Sequence, residues 1–98
     1  MLVHTVLFWL KEGLNSDQVT AFEAALETMK GIIHADAVYT GTPAATGERP
    51  VIDTSYSYCL TVVLKDVAAH DMYQVDPIHI EFLKNKDLWE KVTIYDVD

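Results

Sequence analysis

Apolar side chains alternate from the start of the chain, with Leu2, His4, Val6, Phe8 and Leu10 on one face of Leu2 to Lys11 and Val3, Thr5, Leu7 and Trp9 on the other. A period of two predicts a strand, and this one is apolar on both faces. The period then changes. Asn15 can cap a helix, Gln18 stands at the third position of a capping box, and Leu14 can staple to Val19. Val19, Phe22, Leu26, Met29 and Ile33 recur at three- and four-residue intervals, with Glu23, Glu27 and Lys30 on the wet side. Gly31 is placed as a C-cap, so the helix is expected to end near Lys30.

Ala35 to Gly41 reads as a short strand, and the following residues, 42–50, hold two prolines and a glycine that cannot continue it. Thr54 to Lys65 is the richest β sequence, with Tyr56, Tyr58, Leu60, Val62 and Leu64 on one face and Ser57, Cys59, Thr61 and Val63 on the other. Asp66 can cap a helix that runs through about Tyr73, Asp76-Pro77 can start another that runs to about Asn85, and Val92 to Val97 closes as a strand. The order is β-α-β-β-α-β with the second helix broken near Pro77. That order predicts an α+β, ferredoxin-like domain: a four-stranded antiparallel sheet with helices on one face. The other sheet face is also apolar, and a second copy of the same sheet is the simplest cover for it, which predicts a homodimer.

The 98 residues are enough for one domain, taken as residues 1–98. Seven Lys and Arg against fifteen Asp and Glu give a net charge of −8, which repels a phosphate backbone or an anionic membrane surface. Neither nucleic acid nor membrane is expected as a partner. Half the residues are apolar, too many for a disordered chain. The single cysteine, Cys59, excludes an intramolecular disulfide and fits a reducing cytoplasm. The longest early apolar run, Val6 to Leu10, is far short of a membrane span, and the N-terminus carries no targeting pattern.

No Walker loop, GxGxxG, CxxC, GxSxG or HExxH motif occurs, so no cofactor is expected. The histidines are His4, His34, His70 and His79. His4 interrupts an apolar strand face, which suits a core histidine held by a neighbour. Tyr73 precedes the helix break and His79 falls in the first turn after it. The kink at Asp76-Pro77 can bring them together as an acid–base pair, or Tyr73 can pack in the core while His79 lies on the helix surface. Asp76, His79 and Glu81, with His70 and Asp71 nearby, match no standard metal spacing. Cys59 has no basic neighbour in sequence and reads as an inert small residue rather than a nucleophile.

The chain resembles the stress-responsive dimeric α/β-barrel (Dabb) family over essentially its whole length. The resemblance rests on Val3 to Lys11, on Tyr56 to Leu64 running into Lys65-Asp66, on Tyr73 to His79 followed by Phe82, and on Tyr95-Asp96. It implies a ferredoxin-like monomer that pairs its sheet with a second copy to form a barrel. Among the family's enzymes is the plant olivetolic acid cyclase, a cofactor-free polyketide cyclase, and its Tyr and His match Tyr73 and His79. A further family histidine matches His4, whereas Tyr58, Asp76 and Leu26 replace residues of that cyclase. The resemblance also implies that some relatives hold a divalent cation on backbone carbonyls after the first helix, here Ile33 to Val38.

The expected pocket lies between sheet and helices, lined by His4, Phe22, Leu26, Tyr58, Leu60, Tyr73, His79 and Phe82. In it His79 is the base and Tyr73 positions it or donates to a developing oxyanion on a carbonyl or polyketide-like substrate. Two other functions fit the same pocket: a non-catalytic stress or binding protein holding an apolar or aromatic small molecule, and a cofactor-free monooxygenase.

Overall fold

Alternation of one buried and one half-buried residue along Leu2–Leu10 makes strand β1, and its inward set is Leu2, His4, Val6 and Phe8. The computed structural model describes residues 1–98. Gly13, at φ 81°, turns the chain toward helix α1, Ser16–Thr28. Both arms of the capping box form: Gln18 N–H donates to Asn15 Oδ1 at 2.8 Å, and Asn15 N–H donates to Gln18 Oε1 at 2.9 Å. Phe22 and Leu26 are the buried stripe of α1.

The end of α1 differs from the sequence expectation. Gly31 has no positive φ and closes no left-handed cap; α1 tightens instead into a 3-10 turn, Met29–Gly31. Tightening the turn shifts the phase, so that Ile32 is buried and Ile33 points to solvent. A Cβ at Gly31 would meet Ile78 Cδ1 at 3.3 Å, so Ile78 packs closely against this turn.

Strand β2 spans Ala35–Gly41 and strand β3 spans Tyr58–Leu64. Thr54 to Ser57 alternates like a strand but is a loop fastened to the end of β1. Trp9 Nε1 donates to Ser55 Oγ at 3.0 Å, Leu10 N–H donates to Ser57 Oγ at 2.9 Å, and Ser57 N–H donates to Phe8 O at 2.7 Å. Helix α2, Val67–Gln74, is capped by Asp66, and helix α3, Pro77–Phe82, is capped by Asp76 with Pro77 in its first turn. A 3-10 segment, Leu83–Leu88, leads into strand β4, Trp89–Val97, which begins three residues earlier than Val92.

The sheet order is β2-β3-β1-β4, every neighbouring pair antiparallel, so the first and last strands of the chain lie side by side. This is the ferredoxin-like arrangement. The helices cover one face, and between the layers Phe22, Met29, Leu60, Val62, Leu64 and Tyr73 are fully buried. Phe22 touches Phe8, Tyr58, Phe82 and Trp89 with ring centroids 5.3–6.2 Å apart. Removing one such ring costs about 3–5 kcal/mol. No helix covers the other face, where Val3, Thr5 and Leu7 are half-buried and Tyr39, Tyr95 and Val97 are exposed. There the Lys91 ammonium lies 4.3 Å over the Trp9 ring. No helix is long and apolar enough to cross a membrane.

Candidate functional site

Strand alternation turns His4 toward the helices, and the β1–β4 register sets Asp96 directly opposite it. His4 Nδ1 and Asp96 Oδ1 share a hydrogen bond of 2.5 Å, so the core histidine foreseen from the strand pattern has its partner. Tyr73 comes from the last turn of α2. The chain then breaks at Val75-Asp76, because Pro77 disfavours helix in the residue before it, and α3 returns with His79 in its first turn. The Tyr73 and His79 rings meet at 4.9 Å between centroids, and the His4 ring lies 5.5 Å from that of Tyr73.

These three side chains edge a cavity of about 170 Å³ between β1, β4 and the α2–α3 layer. Gln74 is its other polar lining residue; Val6, Phe8, Met29, Leu60 and Phe82 form its inner wall, and Leu83, Trp89, Val92 and Ile94 its outer one. Leu83, Val92 and Ile94 are exposed, so the mouth runs along the edge strand. An apolar cavity of about 150 Å³ holds a benzene ring, which sets the size of the group this one can take.

His79 is buried, and its Nδ1 has no hydrogen-bond partner. Burial holds its pKa below the usual histidine value and the neighbouring His4 adds to this, against weaker opposing effects of the Gln74 carbonyl and Asp76. The imidazole is therefore neutral near pH 7. Burial, with the Asp96 carboxylate adding, pushes the Tyr73 phenol well above its ordinary value. The same dry environment keeps one ring unprotonated and the other protonated: a base beside a hydrogen-bond donor.

Five of the eight expected pocket residues, His4, Leu60, Tyr73, His79 and Phe82, line this cavity; Phe22, Leu26 and Tyr58 do not. Phe22 and Leu26 are buried core. Tyr58 borders a shallow cleft on the β2 side with Glu23, Leu26 and Glu27, where burial and the Glu23 carboxylate raise its pKa. Phe22 and Leu26 belong to α1 and Tyr58 to β3, and all three pack between sheet and helices beside the cavity rather than on it. Asp76, His79 and Glu81 do not converge: the Asp76 carboxylate caps α3, and Glu81 pairs with Lys84 at 2.8 Å.

The β4 wall and Asp96 were missed by sequence reasoning. A signal was present: Val92, Ile94 and Asp96 keep period two, so Asp96 is a polar intrusion on an apolar face, as His4 is on β1.

The fold and the cavity define the class, a ferredoxin-like α+β domain with a small apolar site between its layers. Residues 2–98 match the Stress Responsive A/B Barrel Domain, and the chain belongs to this Dabb family. No curated protein matches it. Among solved structures it is similar to a Dabb family protein with a ferredoxin-like fold from Mesorhizobium loti, at 24% identity and TM-score 0.77, covering 99% of this chain and 94% of that one. It is similar to a dimeric ferredoxin-like protein of unknown function from Thermobifida fusca, at 17% identity and TM-score 0.78, covering 98% and 88%. A third similar structure is the hydroxynitrile lyase from Passiflora edulis, at 18% identity and TM-score 0.77, covering 98% and 90%.

Proposed function

We propose that the cavity is a cofactor-free lyase or cyclase site in which His79 takes a proton from a small carbonyl-derived substrate and Tyr73 stabilises the oxygen that gains charge. One observation carries this reading: a buried, neutral imidazole with an unpartnered Nδ1 beside a protonated phenol, in an apolar cavity. A buried polar atom without a partner costs about 1–3 kcal/mol, a cost that a ligand's O–H or acidic C–H would remove. The apolar part of the substrate would rest on Val6, Phe8, Leu60 and Phe82, while its reacting end meets Tyr73 and His79. Lyase chemistry of the kind named for the Passiflora edulis protein asks for such a pair: a base for a hydroxyl proton and a donor for an oxygen.

The working unit is a homodimer, joined through the sheet face that no helix covers. Its apolar Val3, Leu7 and Trp9 support this, as does the description of the Thermobifida fusca protein as dimeric. Turnover of an aromatic hydroxynitrile, and extraction of ligands from the purified protein for mass spectrometry, test the site. Activity lost in His79→Ala and reduced in Tyr73→Phe, with the fold retained, supports the reading. A ligand held with no turnover would assign a binding protein, oxygen-dependent turnover would assign a monooxygenase, and either result replaces the lyase or cyclase.

A further inference from the structure

Beside the cavity, a second group of side chains converges that the proposed acid–base pair does not use. His4 from β1, His70 from α2 and Asp96 from β4 each offer a ligand atom, and these atoms lie within 4.8 Å of one another. Three separate elements thus deliver two imidazoles and one carboxylate to one point. We propose that His4, His70 and Asp96 bind a divalent transition-metal ion of the Zn²⁺ or Fe²⁺ type.

The donor set selects the class of ion. Two imidazole nitrogens suit zinc and the later first-row metals, whereas Ca²⁺ and Mg²⁺ ask for oxygen ligands throughout. Three protein ligands leave at least one coordination position open to water or a ligand. The surroundings support the ring that must turn its lone pair to the ion. Asp71 Oδ1 lies 3.3 Å from His70 Nδ1, which favours the tautomer with the proton on Nδ1 and the lone pair on Nε2, the arrangement a ligating histidine takes from an outer carboxylate. Gln74 Nε2 is 3.3 Å from His70 Nε2, a long contact that is easily given up.

The required movement is small. Tetrahedral bonds of about 2.0–2.1 Å set ligand atoms about 3.4 Å apart, so the ion takes the place of the proton between His4 and Asp96 and draws His70 inward. Asp96 is half exposed on an edge strand, and α2 is a short helix, so both can yield. The approach is open: a surface depression is lined by Leu2, Val67, His70, Asp96, Val97 and Asp98, and the Asp98 carboxylate at its rim attracts cations.

The test uses the full chain, freed of metal by chelation and dialysis, titrated with Zn²⁺ by calorimetry and with Co²⁺ by visible absorption. One ion per chain is expected, bound more than about tenfold more weakly by His70→Ala and by Asp96→Asn. His34→Ala, which alters a histidine in the turn before β2, should bind as the unaltered chain does. His70 is partly exposed, so its removal leaves the core intact, and circular dichroism checks the fold of each variant. The absence of saturable binding would overturn the proposal. So would binding unchanged in both His70→Ala and Asp96→Asn, or binding lost in His34→Ala.

Discussion

His4 and Asp96 are 92 positions apart in the chain, yet they are direct cross-strand partners, and their side chains share a hydrogen bond of 2.5 Å. The imidazole is buried while the carboxylate is half exposed, so the two ends of the pair are unequal. Removing Asp96 strands a buried ring, and Asp96→Ala should cost about 1–3 kcal/mol. Asp96→Asn keeps an acceptor and should cost less. Urea unfolding midpoints measure both, and equal midpoints for Asp96→Ala and the unaltered chain would contradict the pairing.

His79→Phe replaces the buried imidazole by a ring with no polar atom to satisfy. It should leave the protein as stable or up to about 1–3 kcal/mol more stable, since the orphaned nitrogen no longer carries its cost. Turnover and polar ligand binding should be lost. A thermal melt set beside an activity assay reads both, and a variant that is strongly destabilised or still active would refute the assignment.

The same residue sets a pH dependence. Burial keeps the folded His79 pKa below its unfolded value of about 6.5. Below that pH the unfolded chain binds a proton that the folded chain refuses. The contribution of His79 to stability is therefore fully present above about pH 6.5 and declines as pH falls toward the folded value. Urea titrations in metal-free buffer from about pH 8 to about pH 5 should show this decline in the unaltered chain and less of it in His79→Phe. Parallel curves would show that His79 is not the group responsible.

Leu7 lies at the centre of the uncovered sheet face, paired with Cys59 and Thr93 across the register. Leu7→Glu places an unpaired carboxylate there. Sedimentation equilibrium should show the dimer replaced by an 11.0 kDa species, with the circular dichroism spectrum preserved. A dimer that survives the substitution would place the interface elsewhere.

Asn15 satisfies the start of α1 in both directions with Gln18. Asn15→Ala should lower stability by about 1 kcal/mol, seen as a shift of the denaturation midpoint with an unchanged slope.

The element order was legible because its signals are local. Asn15 with Gln18, Asp66, and Asp76 with Pro77 each announce a helix start within four residues, and all three caps form. The meeting of Tyr73 with His79 was legible for the same reason, since the break that joins them is an Asp-Pro step. What was misread depends on partners distant in sequence or on how a helix ends. Ser55 and Ser57 look like strand residues until Trp9 and Leu10 take their hydroxyls. Ile33 has helical spacing until the 3-10 turn hands its place to Ile32. Phe22, Leu26 and Tyr58 were rightly placed between sheet and helices, but periodicity does not say which part of that space a cavity occupies. That is decided by the side-by-side placement of β1 and β4, and by α1 filling the space over β3.

Strand β4 supplies Trp89, Val92 and Ile94 to the cavity and Asp96 to His4, and it pairs only with β1, which is synthesised about 80 residues before it. Contacts between strands this far apart in sequence close a long loop and are among the slowest to form. Until β4 is synthesised, β1 is an unprotected edge, His4 lacks its hydrogen-bond partner, and the cavity lacks its outer wall. The site therefore comes into being in a single late event, and a chain that stops at Leu88 has every helix encoded and no complete site.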